Sequence, residues 1–147
     1  MIPEEQSSLD IDWFFMSKNK IGFVASAGGR LPKSVSKSED NIQLLSDFFR
    51  GLPKISNIEV NPHLEEVMVN RRVDEPYLSD FIFMAEKGLY AFDKTFLDNF
   101  DDDTYHLVVK PITDLNIADL PSYVIEVLSQ TSNDEDVNDY FRSSLLP

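Results

Sequence analysis

Apolar and aromatic residues run almost unbroken from Ile11 to Met16, stop at the polar turn Ser17-Lys18-Asn19-Lys20, and resume from Ile21 to Ala25. Gly28-Gly29 and Pro32 then break the run. Two short arms rich in β-branched and aromatic residues, joined by a short polar segment, predict a β-hairpin. On a period of two, Leu9, Ile11, Trp13 and Phe15 share one face, and Asp10, Asp12, Phe14 and Met16 share the other. The first face is the better core candidate, and Trp13 is the only tryptophan. Burying each large side chain contributes about 1.5 to 3 kcal/mol, so a helix is expected to cover the Trp13 face.

The period then lengthens. Ile42, Leu45, Phe49 and Leu52 recur in steps of three and four, with Leu44 and Phe48 widening the stripe, and predict a helix over residues 37 to 51. Ser36-Lys37-Ser38-Glu39 reads as its capping box, and Gly51 and Pro53 as its stop. Asn61-Pro62 favours a short helix over 62 to 70, although Glu66-Val67-Met68-Val69 also suits an edge strand. That helix would set Arg71-Arg72 at its C-terminal end, where cations complement the helix dipole. Asp74-Glu75-Pro76 opens a further helix with Leu78, Phe81, Ile82 and Ala85 inward, closed by Lys87-Gly88. Leu89 to Asp93 and Tyr105 to Ile112 predict a second hairpin around a long loop, Lys94 to Asp103. Asp119-Leu120-Pro121 starts a helix through Ser129, and Ser132-Asn133-Asp134-Glu135 offers a capping box for a last helix carrying Val137, Tyr140, Phe141 and Leu145. Hairpin, helices, hairpin, helices is the signature of a single α+β domain over 1–147. Its expected sheet is antiparallel, built from the two β-hairpins with helices packed on one face.

Composition narrows the class. The 147 residues include eleven Phe and five Tyr, enough to bury a core without disulfides, and there is no cysteine. No basic, apolar leader opens the chain, and no apolar run approaches about 18 residues, so a cytoplasmic protein is expected. The formal net charge of −13 repels phosphate and anionic lipid, which argues against nucleic acid and membrane partners. Residues 95 to 147 carry 11 acids and 2 bases, so most of that charge lies in the C-terminal third. The excess serves either solubility or a basic protein partner.

Catalytic signatures are missing one after another. Ser26-Ala27-Gly28-Gly29-Arg30 lacks the Gly-Lys-Ser/Thr ending of a phosphate loop, there is no Gly-x-Ser-x-Gly elbow, and His63 and His106 have no local partner motif. Asp134, Asp136 and Asn138 match the first alternating positions of a calcium loop, but Asp139 stands where glycine is needed and Leu145 where glutamate is needed. Neither a catalytic residue, a metal nor a cofactor is therefore expected.

Asp12-Trp13-Phe14, Ala25-Ser26-Ala27-Gly28-Gly29, Leu31-Pro32, Phe48-Phe49-Arg50-Gly51-Leu52-Pro53 and the run Met84 to Asp93 together resemble a family of small, acidic bacterial proteins associated with immunity in polymorphic toxin systems. The resemblance implies a non-enzymatic binding protein that neutralises a basic toxin domain, and it locates no site. A carboxylate- or metal-dependent hydrolase and a structural or regulatory scaffold stay open as alternatives. For a binding site, the loop 94–103 joins Asp98, Asp101, Asp102 and Asp103 to Phe96, Leu97 and Phe100, apolar anchors inside an acidic rim. Asp134, Glu135 and Asp136, with Asp139, form the second candidate surface.

Overall fold

The structure, a computed structural model, describes residues 1–147. The alternating runs become strands β1 (Asp12–Ser17), β2 (Lys20–Ala25), β4 (Tyr90–Lys94) and β5 (Thr104–Pro111), joined by three short ones, β3 (Ile58–Val60), β6 (Ser132–Asn133) and β7 (Tyr140–Arg142). The six helices are α1 (Pro3–Ser7), α2 (Lys33–Ser36), α3 (Glu39–Arg50), α4 (Leu64–Val67), α5 (Glu75–Ala85) and α6 (Ser122–Leu128).

Both hairpins form, yet the sheet is mixed rather than antiparallel. Its order is β3-β5-β4-β2-β1-β6, with β7 paired to β5 beside β3. The hairpins β1–β2 and β4–β5 are antiparallel internally, but they meet through β2 and β4, which run parallel, and β6 lies parallel to β1. The long crossover from Ala25 to Tyr90 is the cause: it carries α3 and α5 over one face and returns the chain in the same direction.

Both faces of the sheet are buried, which explains why the strand runs are nearly continuous in apolar residues. Phe14, Ile21, Phe23, Ala91 and Val108 face α3, α5 and α6, where they meet Leu45, Phe49, Phe81, Met84, Val124 and Leu128. The Phe14 ring lies 4.7 Å from that of Phe49. Trp13, Phe15, Val24, Phe92, Tyr105 and Leu107 form a second cluster on the opposite face with Leu31, Val35 and Leu146. Trp13 is buried, 1% exposed, and Ile42 at the start of α3 packs against its cluster, but the inward stripe of the helix, Leu45 and Phe49, lies on the other face. Phe14, assigned to the outer face, is the residue that meets the helix.

The aromatic face is instead closed by Phe141 on β7, whose ring centroid lies 6.1 Å from Trp13, 4.8 Å from Phe15, 4.9 Å from Phe92 and 5.2 Å from Tyr105. In a flat sheet β5 and β1 would be about 14 Å apart. One ring carried on the β5 edge reaches β1 only because the sheet curls, making this face concave.

Three boundaries differ from the sequence pattern. Ser38, not Ser36, caps α3 by accepting from the Asn41 N–H at 3.1 Å, because residues 33–36 are already coiled into α2. Between 54 and 74 the helix reading holds in part, α4 being a single turn shorter than 62 to 70, whereas Glu66 to Val69 form no strand and the edge strand is instead β3, which pairs with the outer edge of β5. The last helix is absent. Residues 132–142 form β6, an extended strap and β7, because the alternating Val137 and Phe141 find the aromatic face and tertiary contact overrides the capping-box pattern. The cap of α5 is as read, Asp74 accepting from the Tyr77 N–H at 3.0 Å.

Candidate binding surface

The strap, residues 134–139, leaves β6 on the β1 edge and crosses the concave face to β7 on the β5 edge. Its start is fixed by Asn133, whose carboxamide oxygen accepts from the Ser17 hydroxyl at 2.7 Å and from the Glu135 N–H at 3.1 Å. Ser17 also donates to the Glu135 carbonyl. Its end is fixed by the Asp139 carbonyl, which accepts from the Leu107 N–H at 2.7 Å. A short polar run that is poor helix material is thereby tied down at both ends.

Beside the strap lies an open groove of about 510 Å³. Phe15, Phe92 and Phe141 contribute its apolar floor, Ser17 and Thr104 its hydroxyls, and Glu135 and Asp136 carboxylates at its rim. Tyr140 and Leu145 also line it and are 51% and 60% exposed. Glu135 makes no ion pair, and Asp136 meets Lys18 at 3.0 Å on the open surface. Asp134 and Asp139 are exposed along the same strap.

The loop 95–103 is organised differently. The Arg30 guanidinium sits 4.5 Å above the Phe100 ring and pairs with Asp101 at 2.6 Å. Asp103 pairs with Arg142 at 3.0 Å and accepts from the Ser144 hydroxyl. Burial alone would raise the Asp103 carboxyl, but those two donors hold it below the usual carboxylate range. The Asp102 carboxylate accepts from the Thr104 N–H at 2.9 Å, and its carbonyl accepts from the buried Lys94 ammonium. Asp98 sits in a left-handed turn, φ 62°, exposed. Of the loop's apolar residues, Phe96 and Leu97 point to solvent, whereas Phe100 is half-buried under Arg30. Two of the four acids are thus neutralised within the chain, and Asp101 to Asp103 belong to a separate recess with Arg30 and Arg142.

A buried polar network spans the other face. Asp93 accepts from Arg71 at 2.7 Å and from the Tyr77 hydroxyl at 2.6 Å, and Arg71 also donates to the Lys94 carbonyl at 3.0 Å. Arg71 therefore neutralises a buried carboxylate rather than capping a helix, while Arg72 reaches Asp74 at the surface. Burial and the Asp93 carboxylate hold the Tyr77 hydroxyl well above the usual phenol range. His106 is fully buried, its Nδ1 2.9 Å from the Thr95 hydroxyl and its Nε2 without a partner. Burial, aided by Arg71, pushes its pKa down to about 4, so it is neutral. No cavity of appreciable size opens onto Asp93, Arg71, Tyr77 or His106, and this network reads as an internal brace. No three His, Asp or Glu side chains converge where a metal ion could be held.

The structure therefore separates the two acidic stretches that the sequence singles out, Asp98 to Asp103 and Asp134 to Asp136. Arg142, which pairs with Asp103, and Thr104, whose N–H donates to Asp102, link them by also lining the strap groove. The sequence pattern misses Phe15, Phe92 and Phe141 as groove residues, since each reads locally as core. Comparison with protein-family models, with curated proteins and with solved structures returns no match to any of the three. No helix is long and apolar enough to cross a membrane.

Proposed function

We propose that the protein is a non-enzymatic binding protein whose acidic strap engages a basic protein partner, in the manner of an immunity protein that occludes a toxin domain. One observation carries this reading: the groove beside the strap sets an aromatic floor against a rim of two exposed carboxylates, Glu135, which makes no ion pair, and Asp136, whose one partner is the exposed Lys18. Apolar surface in a charged rim combines desolvated contact with electrostatic steering, and the chain's charge of −13 extends that steering to a basic partner. The loop 95–103 is a weaker candidate because Arg30 and Arg142 already satisfy Asp101 and Asp103.

The test is co-production with the product of a neighbouring gene that encodes a basic toxin domain, scored by growth. The wild-type chain restores growth, the double substitution Glu135→Lys with Asp136→Lys abolishes the rescue, and Asp98→Lys with Asp101→Lys retains it. Rescue surviving the strap reversal, with the variant folded by circular dichroism, contradicts the reading.

A further inference from the structure

We infer that the strap groove receives one long cationic side chain, an arginine, presented by an exposed segment of the protein partner. This rests on the binding reading above and specifies its chemistry. Four of the chain's own cations are held by a ring and a carboxylate together. Arg30 lies 4.5 Å over Phe100 and pairs with Asp101; Arg50 lies 5.8 Å over Phe23 and pairs with Asp12 and Asp80; Arg71 lies 5.6 Å over Tyr77 and pairs with Asp93. Lys20 follows the same pattern with Tyr90 and Asp114. Each site offers a ring face to the cation and its stem, and a carboxylate to its charge.

The groove offers the same two elements. Phe141, half-buried, is the ring of its floor that faces the groove, with Phe15 and Phe92, 3% and 1% exposed, packed against it, and Glu135 and Asp136 stand at the rim, Asp136 beside the exposed Lys18. No cation of the chain lies over any of these three rings. Arg142 at the far wall is already neutralised by Asp103 and does not oppose an incoming charge. Arginine fits better than lysine because a planar guanidinium stacks on a ring while donating in the ring plane to a carboxylate.

Trp13 supplies the readout, since its ring touches Phe141 from beneath the groove floor. The probe is the capped peptide Gly-Gly-Arg-Gly-Gly, with Lys and Glu versions as controls, titrated at low salt while following Trp13 fluorescence and backbone amide shifts. The inference predicts saturable binding, tighter for Arg than Lys and absent for Glu, with shifts confined to Phe15, Phe92 and residues 133–142. Glu135→Gln with Asp136→Asn weakens it about tenfold, the loss of charge-assisted bonds, and Asp98→Asn with Asp101→Asn leaves it unchanged. Non-saturable binding, shifts spread equally over the loop 95–103, or equal binding of the Glu peptide overturns it. Loss of rescue by the strap reversal without peptide binding sinks this inference and leaves the surface assignment standing; peptide binding with rescue intact does the opposite.

Discussion

Gly22 shows how single positions set the concave face. It stands opposite Phe15 in the hairpin, and a Cβ there would lie 2.1 Å from the Phe15 ring, so the ring lies flat across the missing side chain and becomes part of the groove floor. His106 makes the opposite kind of demand. It is neutral in the folded protein with a pKa of about 4, against 6.5 when exposed. Above about pH 6.5 neither state binds the proton and the burial carries no pH-linked cost. As pH falls from 6.5 toward 4 only the unfolded chain takes it up, and stability declines by about 3 kcal/mol. Urea melts at pH 7 and pH 4.5 should show His106→Gln losing less stability on acidification than the wild type; equal losses contradict the buried neutral histidine.

Elements with a clear period and a local stop were legible. Helices α3, α5 and α6 follow from three-and-four spacing with Asp74, Gly51 and Pro121 near their ends, and both hairpins from alternation. What the sequence hid depends on distant partners. Whether Trp13 or Phe14 meets α3 depends on which face the crossover covers, and both faces are apolar. Val137, Tyr140, Phe141 and Leu145 suit a helix by spacing, and only the open edge of β5 and the aromatic face make them a strap, a strand and a closing 3-10 turn. Likewise Asp101 and Asp103 read as free acids until Arg30 and Arg142 arrive from far along the chain. Because Phe141 packs on four rings of the aromatic face while the β5 ladder holds the backbone of β7, Phe141→Ala should cost about 3 kcal/mol in a urea melt and shift Trp13 emission to the red. A loss under about 1 kcal/mol with unchanged emission would mean that the ring does not seat the strap.

At the scale of the whole molecule, one curled sheet divides the labour. Its helical face holds the larger apolar cluster, braced by the Asp93 network, while its concave face carries a strap that sets carboxylates at the rim of an aromatic-floored groove. The strap therefore places charge and apolar surface together on the side opposite α5 and α6. Hydrogen exchange followed by mass spectrometry, on the chain alone and bound to the basic domain found by the growth assay, tests this division most directly. The account predicts slowed exchange in peptides covering residues 131–145, with little change in α3 or α5. Protection confined to the loop 95–103 or to the helical face would contradict it.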